Sequence, residues 1–290
     1  MKKLRDARIN LFYLPALAFF AVFVVYSLIK GFSISLTNWN GYSQARKFVG
    51  LDNYIRLLTD ENMWRAFGNT LIYGIGSTLL QNIFGLAYAL FLNQKFRGSV
   101  LVRTIVYIPT MIANLIMGYV MYFMVQYNNG AINDVLVALG FQKVDLMASG
   151  LSAVIVMTLI NSWQFVGSLM IIYMAGLQSI PDMYYEAAQI DGATAWQKFK
   201  NITFPLLTPA ISSGIVINLI GGLKLFDVIC SMTNGGPGFA SHSLSTYVSY
   251  LYLDAESAGY SAAVGMVTFV IILLLSNVVM NFFDKKEVVM

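Results

Sequence analysis

Asn161, Gln164, Phe165 and Ser168 recur at i, i+3, i+4 and i+7 inside the apolar run 151–177, so they form one stripe of a helix. A carbohydrate site needs such groups: amides and hydroxyls for sugar hydroxyls, and an aromatic face over the apolar C–H surface. Asn218, Gly221, Gly222 and Leu225 repeat the spacing in the run 206–229, and the glycines leave room for a ring. Polar side chains are costly in hydrocarbon and usually face a cavity or a neighbouring helix. The opposite reading stays open. Gly221 and Gly222 equally permit close helix packing, and Asn or Ser can bond from helix to helix.

Other chemistry is sparse. A single cysteine, Cys230, excludes an intrachain disulfide, a cysteine-based zinc site and an iron–sulfur cluster. The single histidine, His242, reads as a solvated residue of an external loop, with no ligand spacing around it. No G-x-x-x-x-G-K-[ST] run exists to cradle ATP phosphates, and no carboxylate pair or nucleophile constellation suggests catalysis or a metal site. Lys224 and Asp227, three apart near the outer end of a span, read as an i, i+3 ion pair with Lys224 snorkelling. Gln81, Asn82 and Asn114 read as hydrogen-bonding links between helices.

The elements that position these groups are membrane spans. The chain is 58% hydrophobic and 11% charged, where soluble domains carry roughly 25% charge. Six stretches approach the ~20 residues needed to cross ~30 Å of hydrocarbon: about 10–29, 69–92, 103–126, 151–177, 206–229 and 261–283. The first is too long for a secretory h-region and lacks a small-residue cleavage site after Ile29, so it reads as a retained span. The expectation is a single all-α membrane domain over 1–290. With six spans, Lys2, Lys3, Arg5, Arg8, Lys95, Arg97, Arg103, Lys198, Lys200, Lys285 and Lys286 share one side. The other side holds Lys30, Arg46, Lys47, Arg56, Arg65 and Lys143. The positive-inside rule makes both termini cytoplasmic. The net charge of +4 then reflects topology rather than a nucleic-acid footprint.

The external connections are expected to include helical stretches at 53–58 and 132–139. A turn-rich finger around Asn234-Gly235-Gly236-Pro237-Gly238 would reach toward a docked partner. On the cytoplasmic side the loop 178–205 is amphipathic. Pro181 suits the first position of a short helix, Asp182 its positive end, and Gly192 a reversal. A second helix is expected to carry Trp196, Phe199 and Ile202 on one stripe and to stop at Pro205. By spacing alone this is either a pair of helices for a partner to push on or a long loop.

The run Glu186-Ala187-Ala188, Asp191-Gly192-Ala193 and Ile202-Thr203-Phe204-Pro205-Leu206 resembles the "EAA…G…I-x-[LF]-P" signature of membrane subunits of bacterial ATP-driven (ABC) importers. The chain is similar to the sugar-importing branch, especially the larger membrane subunit of the maltose permease and its raffinose- and multiple-sugar-type relatives. The likeness extends to Phe48-Val49-Gly50-Leu51-Asp52-Asn53-Tyr54, to Asn69-Thr70 opening the second span, and to Thr233-Asn234-Gly235-Gly236-Pro237. It implies a pore-forming half that pairs with a second homologous permease. Two ATPase subunits, which bind the ATP and magnesium, would dock on Glu186, Ala187, Ala188, Asp191 and Gly192. An extracytoplasmic binding protein would deliver sugar, and the first span would pack around a partner in the lipid. The resemblance places Asn161, Gln164, Phe165, Ser168, Asn218, Gly222 and Leu225 at sugar-contacting positions. Only Asn161 keeps the residue type found there, which suits a sugar other than maltose. The rival reading is an ion-coupled secondary carrier, for which conspicuous intramembrane acids or repeated halves are expected.

Overall fold

The computed structural model describes residues 13–94 and 96–284. Lys2, Lys3, Arg5, Arg8, Lys95, Lys285 and Lys286, and the start of the first expected span, lie outside the described residues. In chain order the helices are α1 (Leu14–Ser35), α2 (Asp52–Thr59), α3 (Glu61–Leu92), α4 (Ser99–Met111) and α5 (Asn114–Val125), then α6 (Ala131–Ala138) and α7 (Gly150–Gln178). They continue as α8 (Asp182–Ile190), α9 (Ala195–Lys198), α10 (Phe204–Leu223), α11 (Asp227–Met232), α12 (Leu244–Leu253) and α13 (Ala258–Asp284). Among the described residues, five helical stretches are long and apolar enough to cross a membrane, and six when the bent pair α4–α5 is counted as one span. Among the described residues the extended structure is one isolated bridge, Thr37 to Phe48.

Contacts divide the chain into two compact units. The first runs up to Asp60 and adds Val248–Phe269. Here α1 turns an almost wholly exposed apolar surface outward. Its C-terminal end is tied down by Asn53, whose amide donates to the Ser35 and Thr37 carbonyls at 2.8 and 2.9 Å. This gives the Phe48–Tyr54 motif a local reason: it seats an amide under the end of a span whose last carbonyls need donors. Arg56 lies over the Tyr260 ring at 4.2 Å, and the Tyr260 hydroxyl donates to Asp60 at 2.6 Å.

The second unit runs from Glu61 to Tyr247 and adds the chain from Val270. Its axis is α7, the most buried span, which contributes to two cores. Towards its start, Val154, Met157 and Ile160 pack with Tyr73, Val228 and Ile229. Towards its end, Leu169, Met170 and Tyr173 pack with Ala89, Leu207 and Ile211. Ser149 and Ser152 form a reciprocal capping box at its start.

Four expectations change. The third span is not one rod: α4 and α5 meet at 101°, because Ile112 and Ala113 are extended. Hydropathy registers such a break poorly, since both arms are apolar. The second span starts at Glu61 rather than at 69, because Met63 and Ala66 are buried and add helical turns that polar neighbours disguise. Asn69 therefore sits inside the helix and donates to the Ala240 and His242 carbonyls at 2.8 and 3.0 Å. Pro205 does not stop the second helix of the 178–205 loop. A π turn over Phe199–Thr203, in which Phe204 N–H reaches Phe199 O, carries α9 directly into α10. Finally, α10 ends at Leu223 and the fifth span resumes as α11 after Phe226.

Candidate functional site

A cavity of about 340 Å³ opens where α3, α4, α5, α7 and α10 converge on the break between α10 and α11. Asn161, Phe165 and Ser168 line it from α7. Asn218, Gly221, Gly222 and Leu225 line it from the fifth span. The two stripes of 3.6-residue period therefore face one another across a hollow, which neither alone required.

Gln164 is placed differently. It is fully buried and directed at the break in the third span. Its amide nitrogen donates to Ile112 O and Asn114 Oδ1, each at 3.2 Å, while its backbone carbonyl accepts from Thr110 Oγ1 at 2.7 Å. An unwound turn in hydrocarbon leaves backbone groups that must be paired within the protein. Gln164 supplies that pairing, so of the stripe it is the member behind the wall.

The glycines also separate. A Cβ on Gly222 would lie 2.6 Å from Ser77 Oγ and 2.9 Å from both Gly74 Cα and Tyr73 O. Gly222 thus lets α10 approach α3 closely. A Cβ on Gly221 would meet nothing within 4 Å. Gly221 is the one that keeps room.

Three amides give the hollow its character. Asn161 is 4% exposed, and its side chain has no hydrogen-bond partner among the described residues. Asn218 Nδ2 and Gln81 Oε1 are buried without partners. The other end of Gln81 donates to Asn161 O at 3.1 Å. Buried amide ends are normally satisfied by protein or water, and these face the cavity rather than a protein partner. Gln81, Thr110, Asn114, Lys224 and Asp227 also line the cavity, although the sequence reading treats none of them as a ligand. The usable signal was the cost of polar residues within spans. Gln81 and Asn114 both link helices, as expected, and face the hollow as well.

Lys224 and Asp227 make no ion pair; the Asp227 carboxylate accepts from Asn114 Nδ2 at 3.3 Å. The chain unwinds between them, so an i, i+3 helical spacing does not exist there. His242 is buried rather than solvated, with its Nδ1 3.0 Å from Thr246 Oγ1 and its ring against Phe239. The 234–238 segment folds back rather than standing free: Ser241 N donates to Gly235 O, and Tyr73 OH to Ser241 O. Its tip, Asn234, Pro237 and Gly238, is exposed.

At the far end of α7 the connection 178–205 presents a different surface. Pro181 stands at the N-cap position of α8, one residue before the first helical position expected for it, and makes no side-chain cap bond. At its other end Gly192, at φ +74°, lets Ala193 N reach Ala188 O while Gly192 N reaches Gln189 O, the paired bonds of a Schellman stop. Thr194 and Gln197 then form the capping box of α9. Tyr185 OH, 3.0 Å from Thr203 Oγ1, ties α8 to the π turn. No residue of α8 is buried. Glu186, Ala187, Asp191 and Gly192 are exposed and Ala188 is half-buried, beside exposed Met183, Ile190 and Trp196.

A hollow lined by amides, hydroxyls and one residue of each charge within apolar spans, with an exposed helix pair at the end of the central span, is the form of a membrane transport component. The profile of the family described as "binding-protein-dependent transport system inner membrane component" matches residues 81–287, and the chain belongs to that family. It is 34% identical to the trehalose/maltose transport system permease protein of Thermococcus litoralis over 93% of this chain and 92% of that one. It is 31% identical to the multiple sugar-binding transport system permease protein of Streptococcus mutans, covering 92% of each. Among solved structures, it matches a bacterial ABC transporter involved in import of the acidic polysaccharide alginate, with a TM-score of 0.83 and 26% identity over 97% and 96% of the two chains. A second structure, of an alginate transporter in complex with an alginate pentasaccharide-bound periplasmic protein, matches with a TM-score of 0.81 and 27% identity over 95% and 93%. The chain is a multi-pass membrane subunit of an ABC importer, and its part in the cycle is passage rather than bond breaking.

Proposed function

We propose that this chain is the pore-forming permease of an ATP-driven, binding-protein-dependent sugar importer and that it carries an oligosaccharide. The observation that carries the reading is the set of amide groups without a protein partner, the Asn161 side chain, Asn218 Nδ2 and Gln81 Oε1, around a hollow that Phe165 also lines. Amide donors and acceptors beside a ring suit hydroxyls and C–H faces. The names of the sugar-permease relatives point the same way. An ion-coupled carrier finds little support: Asp227 is the one carboxylate lining the cavity, and it is held by an amide.

In this mechanism α8 and α9 are rigid levers. Their Schellman stop and capping box fix the junction between them, and the π turn makes α9 continuous with α10, the helix that carries Asn218. A push on Glu186, Ala187, Ala188, Asp191 and Gly192 by a partner ATPase, which holds ATP and magnesium, is thereby delivered to the cavity wall. Two such ATPases, a second permease in the lipid and a sugar-binding protein complete the assembly. The levers and both termini lie on the cytoplasmic side of the plasma membrane of a bacterium. The spans then alternate between inward- and outward-open forms.

Proteoliposomes holding this chain with its second permease and ATPases test the reading. Oligosaccharide accumulation is expected only when ATP on the ATPase side and the binding protein on the opposite side are both present. Accumulation driven by an ion gradient in the absence of the ATPases would establish the carrier instead.

A further inference from the structure

Two concavities lie between α3, α4 and α7, one beyond the other along these helices, and neither belongs to the cavity described above. The first is an apolar groove of about 500 Å³ walled by Phe84, Tyr88, Ile105, Pro109, Trp163 and Val166. Phe84, Ile105 and Trp163 are all half exposed, so the groove opens sideways, toward hydrocarbon. The second, of about 590 Å³, lies where the same helices end and is lined by Asn93, Arg97, Ser99, Arg103 and Gln178. Tyr88 and Asn93 are five residues apart, so at 1.5 Å of rise per residue the two hollows are roughly 7–8 Å apart along α3.

The polar hollow is set for an anion. Arg103 reaches across the end of α3 to donate from Nη2 to Leu92 O at 2.8 Å, which fixes its guanidinium in place. Its Nε is buried with no hydrogen-bond partner. No carboxylate lines this hollow among the described residues. Half-buried Arg103 and exposed Arg97 thus bring two positive charges to a hollow with no acid among its lining to balance them, the setting in which a charged acceptor bonds most strongly.

We propose that the two hollows together bind one anionic phospholipid, with its phosphate on Arg97 and Arg103 and an acyl chain along the groove. Ser99 and Asn93 supply further donors. Charge selects the headgroup, and the adjoining groove selects a lipid over a free phosphate. The site lies at the depth where headgroups meet spans, at the same end of α7 as the levers. It does not depend on the sugar reading.

The test uses the full chain assembled with its partner subunits in nanodiscs. The chain has four tryptophans; with Trp39, Trp64 and Trp196 replaced by Phe, the difference in quenching between this complex and one that also carries Trp163→Phe isolates the groove from the partner subunits' tryptophans. Brominated phosphatidylglycerol is expected to quench Trp163 at about fivefold lower mole fraction than brominated phosphatidylcholine for each arginine engaged. Arg97→Gln, which leaves the Leu92 contact intact, should shrink that preference about fivefold, and millimolar inorganic phosphate should leave it unchanged. Equal quenching by the two lipids overturns the proposal. Displacement by phosphate alone overturns it in favour of a free-anion site, and a Trp163 that neither lipid quenches does so in favour of a partner helix covering the groove. Native mass spectrometry of the unaltered complex gives an independent reading: phosphatidylglycerol retained by the parent chain and lost from Arg97→Gln supports the site, and equal retention by both overturns it.

Discussion

At the scale of single residues, the site turns on which direction each side chain faces. Asn161 faces the hollow and makes no side-chain hydrogen bond, whereas Gln164, less than one turn away, spends its amide nitrogen on the break in the third span and keeps Oε1 buried without a partner. Their substitutions should therefore differ in kind. Asn161→Ala is expected to weaken transport of the cognate sugar by about 1–3 kcal/mol, the usual cost of a lost partner, while basal ATPase activity and assembly persist. Uptake competition among oligosaccharides checks this; lost assembly with unchanged sugar preference would make Asn161 a packing residue. The adjacent glycines provide a second contrast. Gly222→Ala forces a Cβ against the backbone of Tyr73 and Gly74 and should lower stability by about 1–3 kcal/mol, as overpacking does. Gly221→Leu should leave thermal unfolding nearly unchanged yet block uptake, because its side chain enters open space. Equal melting temperatures for Gly222→Ala and the parent would remove the packing role.

At the scale of elements, the breaks and stops matter more than the helices they interrupt. Gln164→Leu keeps the volume but orphans Ile112 O and Asn114 Oδ1, so the bent third span should lose about 1–3 kcal/mol of stability. Thermal unfolding of the assembled complex measures this, and sugar selectivity among the surviving molecules should be unaltered. The stop of α8 depends on Gly192 at φ +74°, a conformation that costs a residue with a Cβ about 1–2 kcal/mol and that proline, locked near −65°, cannot enter. Gly192→Pro should abolish ATP-coupled uptake while the protein still reaches the membrane, and Gly192→Ala should impair it partly. Full coupling in Gly192→Pro would show that α8 is no lever.

At the scale of the whole molecule, orientation and coupling are one prediction. Cys230 is the only cysteine, so a Cys230→Ser background permits labelling at chosen sites. With the levers inside, Ala187→Cys should react with a membrane-impermeant maleimide only after permeabilisation, and Asn128→Cys should react in intact cells. The reverse pattern would invert the topology. Glu186→Lys places a cation where the exposed α8 carries one of its two acids. It should eliminate substrate-stimulated ATP turnover with sugar binding by the binding protein intact.

The sequence by itself determined the class of protein and most of its parts. Runs of apolar residues fix spans because backbone in hydrocarbon must pair internally. The Glu186–Pro205 motif marked the connection that the structure folds as α8 and α9. Period 3.6 put Asn161, Phe165 and Ser168 on one stripe and Asn218, Gly221 and Leu225 on another, and both line one cavity. Only the tertiary structure decided where each stripe was divided. A stripe of seven residues covers a broad arc, and the neighbouring helix sets which part of it faces a hollow. Thus Gln164 met the carbonyl of a break that two apolar arms conceal, and Gly222 rather than Gly221 met α3. The sequence left His242 in solvent and paired Lys224 with Asp227. Both readings failed because they rest on contacts between segments distant along the chain, or on helix continuity across Leu225, which local spacing does not encode.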